Sequence, residues 1–279
     1  MLRLTALLAL CLSLPALAAP EALQQAQTPE GYRYGWIGAM PKKPTATVLF
    51  LGGQVEYNIS DPPYAKAVEV LCKRVLCLTI DSPGEGADAP ASKGRGLVFW
   101  AQSLAAKKDF TGDFVRRAGV VLDKLAKDGA VDRERVGVFG TSRGGFLSLQ
   151  LAATDPRIKA IALFAPVTNL AVLSEFIPTK AGARKFTEAS HAKFAAKLYR
   201  LPIWLTIGPA DDRVGTHEAI DFSQTMLKAA AAKGVPSVFE LHVAPADGHT
   251  TPAGAYEDAA RWMLKQLAPA NTPPRLPAQ

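Results

Sequence analysis

The 279-residue sequence predicts an α/β protein: a mostly parallel central sheet with helices on both faces and a short helical insertion. Three observations carry this. Apolar, β-rich runs alternate with longer stretches of helical spacing. The strand runs are apolar throughout rather than alternating, as expected when both faces of a parallel sheet are covered. One connection, at 167–200, is longer than a simple crossover needs.

Taken in order, the chain opens with "MLRLTALLALCLSLPALAAP", where Arg3 precedes an apolar run from Leu4 to Leu14 and the small-x-small pattern Ala16-Leu17-Ala18 follows. That is the three-part pattern of a secretory signal peptide over 1–18, with cleavage after Ala18. A bilayer-spanning helix needs about 20 apolar residues, and Pro15 ends this run earlier. The mature protein is therefore expected in a periplasm or outside the cell, with no membrane partner.

Residues 19–31 are polar and expected to be loose. "ATVLFLG" (46–52) reads as a strand ending in Gly-Gly, "PPYAKAVEVLCKR" (62–74) as a helix, and "VLCLTID" (75–81) as a buried strand. In "DFVRRAGVVLDKLAKDG" (113–129), Phe114, Val115, Ala118, Val121, Leu122 and Leu125 share one helical stripe, and Gly129 stops it. Strand 135–140, helix 143–154 and strand 158–166 follow. Residues 167–200 are expected to form a small helical lid. Strand 202–208, helix 217–233, strand 237–243 and helix 254–267 complete a single domain over 19–279, with a Pro-rich tail from 268 to 279.

Hydrophobic residues at 48% and charged residues at 20% are ordinary globular values and exclude a disordered or fibrous chain. The net charge is +7, and Lys180, Arg184, Lys185, Lys193, Lys197 and Arg200 stand against Glu175 and Glu188 in the insertion. No basic stripe with aromatic platforms accompanies them, so nucleic acid is not an expected partner. A solvated basic face is one reading, and an anionic or polar substrate is another. Once the leader is removed, Cys72 and Cys77 form an even pair in an oxidising compartment. A disulfide requires Cα atoms within about 7 Å. Two small buried thiols are the other reading, and the spacing leaves both open.

The chemistry centres on "RVGVFGTSRGGFLSLQLAA" (135–153), in which Gly140-Thr141-Ser142-Arg143-Gly144 matches G-x-S-x-G between a strand and a helix. A Ser held on such a turn is exposed at the sheet's edge, with small neighbours that avoid collision and a helix N-terminus that favours developing negative charge. An ordinary Ser-capped turn is the bland alternative. A Ser hydroxyl needs a base. Of His191, His217, His242 and His249, the last lies in the loop after the final strand and is the best placed. His242 falls inside a strand, where it is expected to pack, and His191 and His217 are expected at the surface. A third group must orient the imidazole, and Asp211 and Asp212 both follow strand 202–208. For the oxyanion, backbone amides of Arg143 and Gln54 are candidates, with Gly52 and Gly53 allowing close approach of the substrate.

With "LGGQ" (51–54), "DSPGEG" (81–86), "GTSRGG" (140–145), "GPADDRVG" and "DGHT", most of the mature chain resembles the α/β-hydrolase superfamily of serine hydrolases. The likeness is closest to prolyl-oligopeptidase-like and dienelactone-hydrolase-like esterases. It implies the α/β-hydrolase fold and the triad Ser142, Asp211 and His249, with Asp212 and Arg213 in support. Two departures stand out: Gly52 replaces a His that many relatives carry, and the length leaves no room for the propeller that gates oligopeptidases. The expected activity is hydrolysis of a small-molecule carboxylic ester through an acyl-enzyme, a chemistry that requires no cofactor and no metal. A peptidase of the prolyl-oligopeptidase type is the alternative, although no Glu-Glu pair is visible to hold a substrate amino terminus. A non-catalytic binding protein on the same scaffold is the reading from another class.

Overall fold

The computed structural model describes residues 22–59, 64–90 and 94–269; the expected signal peptide and residues 270–279 of the expected tail lie outside them. Among the described residues the strands are β1 (Leu23–Gln27), β2 (Arg33–Ile37), β3 (Thr45–Leu51), β4 (Leu76–Ile80), β5 (Val131–Thr141), β6 (Ile158–Phe164), β7 (Ile203–Ile207) and β8 (Phe239–Val243). They form one sheet in the order β1-β2-β4-β3-β5-β6-β7-β8. β1 and β2 pair antiparallel, as do β2 and β4, and the remaining neighbours are all parallel.

The helices are α1 (Val55–Asn58), α2 (Ala65–Leu71), α3 (Leu97–Ala105), α4 (Phe110–Lys127), α5 (Arg143–Ala152), α6 (Lys180–Leu198), α7 (Thr216–Ala232) and α8 (Ala255–Gln266). Successive side chains of a strand point to opposite faces. In β3, Val48 and Phe50 accordingly join one buried cluster with α2 and α8, while Leu49 and Leu51 join another with α3 to α7. β6 divides in the same way, with Ala160, Ala162 and Phe164 on the first face and Ile161 and Leu163 on the second. Both faces are dry, which is why the central strands read as unbroken apolar runs. Each large side chain so buried contributes roughly 1.5–3 kcal/mol.

The structure corrects the expectation that residues 19–31 are loose. Leu23–Gln27 is an edge strand, in register with β2 from Leu23 opposite Ile37 to Gln27 opposite Arg33. It escapes a hydrophobicity reading because three of its five residues are exposed glutamines. Its attachment rests on backbone pairing and on two side chains, Leu23 and Ala26, that pack against opposite faces. α4 begins three residues earlier than its stripe suggests, because the Asp109 carboxylate accepts the Gly112 amide at 2.8 Å and caps it.

Residues 167–200, expected as a lid, comprise two short 3-10 turns (Leu170–Val172 and Ser174–Thr179) and α6. They sit within the helix layer: the Gln150 amide of α5 donates to Ser190 Oγ at 2.9 Å, and the Leu170 amide donates to Thr187 Oγ1 at 3.1 Å. Cys72 and Cys77 are joined by a disulfide, their Cα atoms 5.5 Å apart, which ties the end of α2 to β4.

Candidate active site

The carboxyl ends of β3, β4, β5, β7 and β8 lie along one edge of the sheet, because these strands run parallel. β5 ends at Thr141, and Ser142 takes φ 53° and ψ −119° before α5 begins at Arg143. This is a sparsely populated conformation for a residue with a side chain, and it persists only where its surroundings over-determine it. Three backbone bonds do so. The Ser142 amide donates to Phe164 O at 2.9 Å, while its carbonyl accepts from Gly145 N at 3.0 Å and Val167 N at 2.9 Å. Crowding explains the flanking glycines: a methyl group at 144 would overlap the Leu51 carbonyl, and one at 140 would overlap Ser148 Oγ.

The Ser142 hydroxyl meets His249 Nε2 at 3.0 Å, and His249 Nδ1 meets Asp211 Oδ2 at 2.8 Å. The Asp211 side chain is fully buried, whereas Asp212 is exposed. Two amides of its own loop, Arg213 N at 3.0 Å and Val214 N at 3.1 Å, donate to Asp211 Oδ1. Oδ2 is left to the imidazole. A carboxylate at Nδ1 holds the proton there and turns the Nε2 lone pair toward the serine hydroxyl.

Facing the serine, Gly53 N donates to Asn58 Oδ1 at 2.6 Å and Val55 N to Asp81 Oδ1 at 2.8 Å. The amide between them, Gln54 N, has no acceptor among the described residues, and neither has Arg143 N. Both residues line a cavity of about 580 Å³ that also includes Gly52, Gly53 and Ser142. An amide without a partner beside a nucleophile is what an oxyanion requires. The Arg143 side chain holds this wall together: Nε donates to Gly52 O at 2.5 Å, and Nη1 pairs with Glu85 Oε1 at 2.7 Å.

Two tyrosines beneath the site join these segments. Tyr64 donates its hydroxyl to Leu51 O at 2.7 Å. Tyr256 OH lies 3.2 Å from Thr141 Oγ1 and 2.9 Å from Thr251 Oγ1, linking the serine turn to the histidine loop. Burial pushes the Tyr256 phenol up to about 12, so it stays a neutral hydrogen-bonding group near neutral pH. Its ring stacks on Phe164 with centroids 4.2 Å apart. Neither tyrosine carries a sequence signal as a site residue, and nor do Asn58 and Asp81, although Asp81 opens the quoted "DSPGEG" stretch. Asp81 also takes two bonds from Arg33, which donates to Glu56 as well.

The other histidines lie away from this line, and two differ from expectation. His191 is half-buried: its Nε2 bonds to Thr168 O at 2.8 Å, Phe222 packs beside it, and burial lowers its pKa. His242 is exposed, because β8 is an edge strand; one ring face rests near Trp204. His217 is exposed in the first turn of α7. Among the described residues, no three or more His, Cys, Asp or Glu side chains gather as a metal site.

Residues 100–269 match the model of the prolyl oligopeptidase family, a span that contains Ser142, Asp211 and His249. The 20-hydroxy-prefusarin hydrolase FUS2 of Gibberella moniliformis is 37% identical over 94 residues, 34% of this chain and 20% of that protein. The chain thus spans about a fifth of that relative's length. Among solved structures, a cold-adapted esterase from an Arctic intertidal metagenomic library aligns with a TM-score of 0.61 at 15% identity, over 88% of this chain and 93% of the esterase. A prolyl endopeptidase aligns with a TM-score of 0.61 at 14% identity, over 89% of this chain and 39% of that one.

Proposed function

The chain belongs to the prolyl oligopeptidase family of serine hydrolases, and from that premise we propose that it hydrolyses small carboxylic esters through Ser142, His249 and Asp211. The observation that carries this reading is the unbroken hydrogen-bonded line from the Asp211 carboxylate through His249 to the Ser142 hydroxyl. Ser142 Oγ attacks the ester carbonyl as its proton passes to His249 Nε2, and Asp211 stabilises the imidazolium. The amides of Gln54 and Arg143 receive the oxyanion. Collapse of the tetrahedral adduct expels the alcohol, which takes the proton from His249. Water then repeats the sequence on the acyl-enzyme and returns the serine and a carboxylic acid.

Ester is favoured over peptide by the charge of the cavity wall. Among the described residues Glu85 is the acidic side chain that lines it, and Arg143 already pairs with Glu85, so a substrate amino terminus would find no free carboxylate among them. The same proposal places the enzyme in an oxidising compartment, supported by the leader pattern of residues 1–18 and by the Cys72–Cys77 bond.

A fluorophosphonate probe should label the protein, and Ser142→Ala should abolish labelling. Labelling that survives Ser142→Ala would move the nucleophile elsewhere. His249→Ala should lower kcat on p-nitrophenyl acyl esters by several orders of magnitude. Faster turnover of peptide p-nitroanilides than of those esters would make the enzyme a peptidase instead.

A further inference from the structure

Among the described residues, three charged side chains line the cavity beside Ser142: Glu85, Arg95 and Arg143. Two of them neutralise each other at 2.7 Å and are largely buried, with side-chain exposures of 14% for Glu85 and 25% for Arg143. Arg143 spends a further donor on Gly52 O. Arg95 is different. Its side chain is exposed, and no carboxylate among the described residues pairs with it. Among the described residues, the wall of the candidate active site therefore carries one cation without a carboxylate partner.

The turn that carries that cation is anchored on its α3 side: the Val98 amide donates to Arg95 O at 3.2 Å. Arg95 stands between Gly94 and Gly96, both at positive φ, immediately before α3. Gly96 donates its amide to Gly84 O at 3.2 Å. A methyl at 96 would overlap Arg143 Nη1 and lie 2.7 Å from Glu85 Oε1. The turn is thus pressed against the ion pair that braces the loop bearing Gln54, and only a residue without a side chain fits there. Among the described residues the rest of the lining is uncharged and includes Leu97, Tyr57 and Gln54.

We propose that the substrate of this site is an ester carrying a carboxylate, which Arg95 pairs while Ser142 attacks the ester carbonyl. This deepens the reading of Ser142 as the nucleophile and rests on it. A guanidinium offers two parallel N–H donors to a carboxylate, which sets orientation as well as affinity. The cation is supplied by the turn before α3 and not by the basic insertion, none of whose residues lines the cavity.

The test compares kcat/KM for matched charged and neutral esters. On the acyl side the pair is p-nitrophenyl hemisuccinate and p-nitrophenyl butyrate; on the alcohol side it is 4-carboxyphenyl butyrate and phenyl butyrate. The charged-to-neutral ratio should fall about tenfold in Arg95→Gln in one of the two arms, the scale of a partly exposed charge-assisted pair, and Arg95→Lys should recover part of it. The arm that responds identifies the side of the substrate that carries the carboxylate. A ratio unchanged by Arg95→Gln in both arms overturns the proposal. Ser142→Ala run alongside separates the two ideas: loss of all ester turnover with an unchanged Arg95 ratio defeats the carboxylate alone, whereas turnover surviving Ser142→Ala defeats the site itself.

Discussion

Ser142 is held in a backbone conformation that costs on the order of 1–3 kcal/mol, and its neighbours supply the compensation. The Phe164 carbonyl and the Gly145 and Val167 amides fix its main chain, and His249 takes up its hydroxyl. Tyr256 acts one step further out. Its hydroxyl touches Thr141, the residue before the serine, and Thr251, two residues after the histidine. Losing that hydroxyl should let the two loops drift while the ring, stacked on Phe164, keeps the fold. Tyr256→Phe is expected to lower kcat about tenfold, or ~1.4 kcal/mol of barrier, with KM and thermal midpoint little changed. Steady-state kinetics beside a melting curve checks this. An unaltered kcat would mean that the aromatic stack alone sets the alignment.

At the scale of elements, the insertion between β6 and β7 reaches the loop that carries Asp211. Glu175, in its second 3-10 turn, pairs with Arg213 at 2.6 Å, and the Arg213 amide is one of the two that hold Asp211. Burial pushes the Glu175 carboxyl up, but the Arg213 guanidinium, with the residue's own amide and Ser174, outweighs it and leaves the pKa below the ordinary carboxylate value. A depressed folded pKa stabilises the protein above the unfolded value and ceases to do so as pH falls through the folded one. Glu175→Gln should therefore lower the melting temperature at pH 7 by a few degrees, the scale of ~1 kcal/mol for a partly exposed pair. The gap should close as pH falls from the ordinary carboxylate range through the lower folded value, where the wild-type carboxylate also becomes neutral. A gap that persists in acid would place the contribution in packing rather than charge.

Over the whole molecule, one sheet edge gathers the candidate site residues from distant parts of the sequence: Gln54 after β3, Arg95 beyond β4, Ser142 after β5, Asp211 after β7 and His249 after β8. The net charge of +7 is spread more widely than this edge. Arg184 and Lys185 are exposed on α6 and do not line the cavity. Neutralising both, as Arg184→Gln with Lys185→Gln, should leave the charged-to-neutral ester ratio within about twofold, since salt screens exposed charges that do not touch the substrate. Measurement at physiological ionic strength decides this, and a collapsed ratio would assign substrate choice to the basic field of the insertion.

The α/β class, the positions of the six parallel strands and the G-x-S-x-G turn were legible in the sequence, because continuous apolar runs and a Gly-flanked Ser on a strand-to-helix corner are local patterns. β1 was not, since three exposed glutamines give a strand no hydrophobic signature. The choice between Asp211 and Asp212 lay beyond local pattern too: residue reading left both open, resemblance named the first, and the fold buries one and exposes the other. The contacts of Tyr64, Tyr256 and Asn58, and the place of Arg95 in the cavity wall, were decided by tertiary structure alone. Each depends on which partner folding brings within about 3 Å, or on which charge it leaves unpaired. A hydrogen bond between residues as far apart as Thr141 and Tyr256 leaves no periodicity in either neighbourhood.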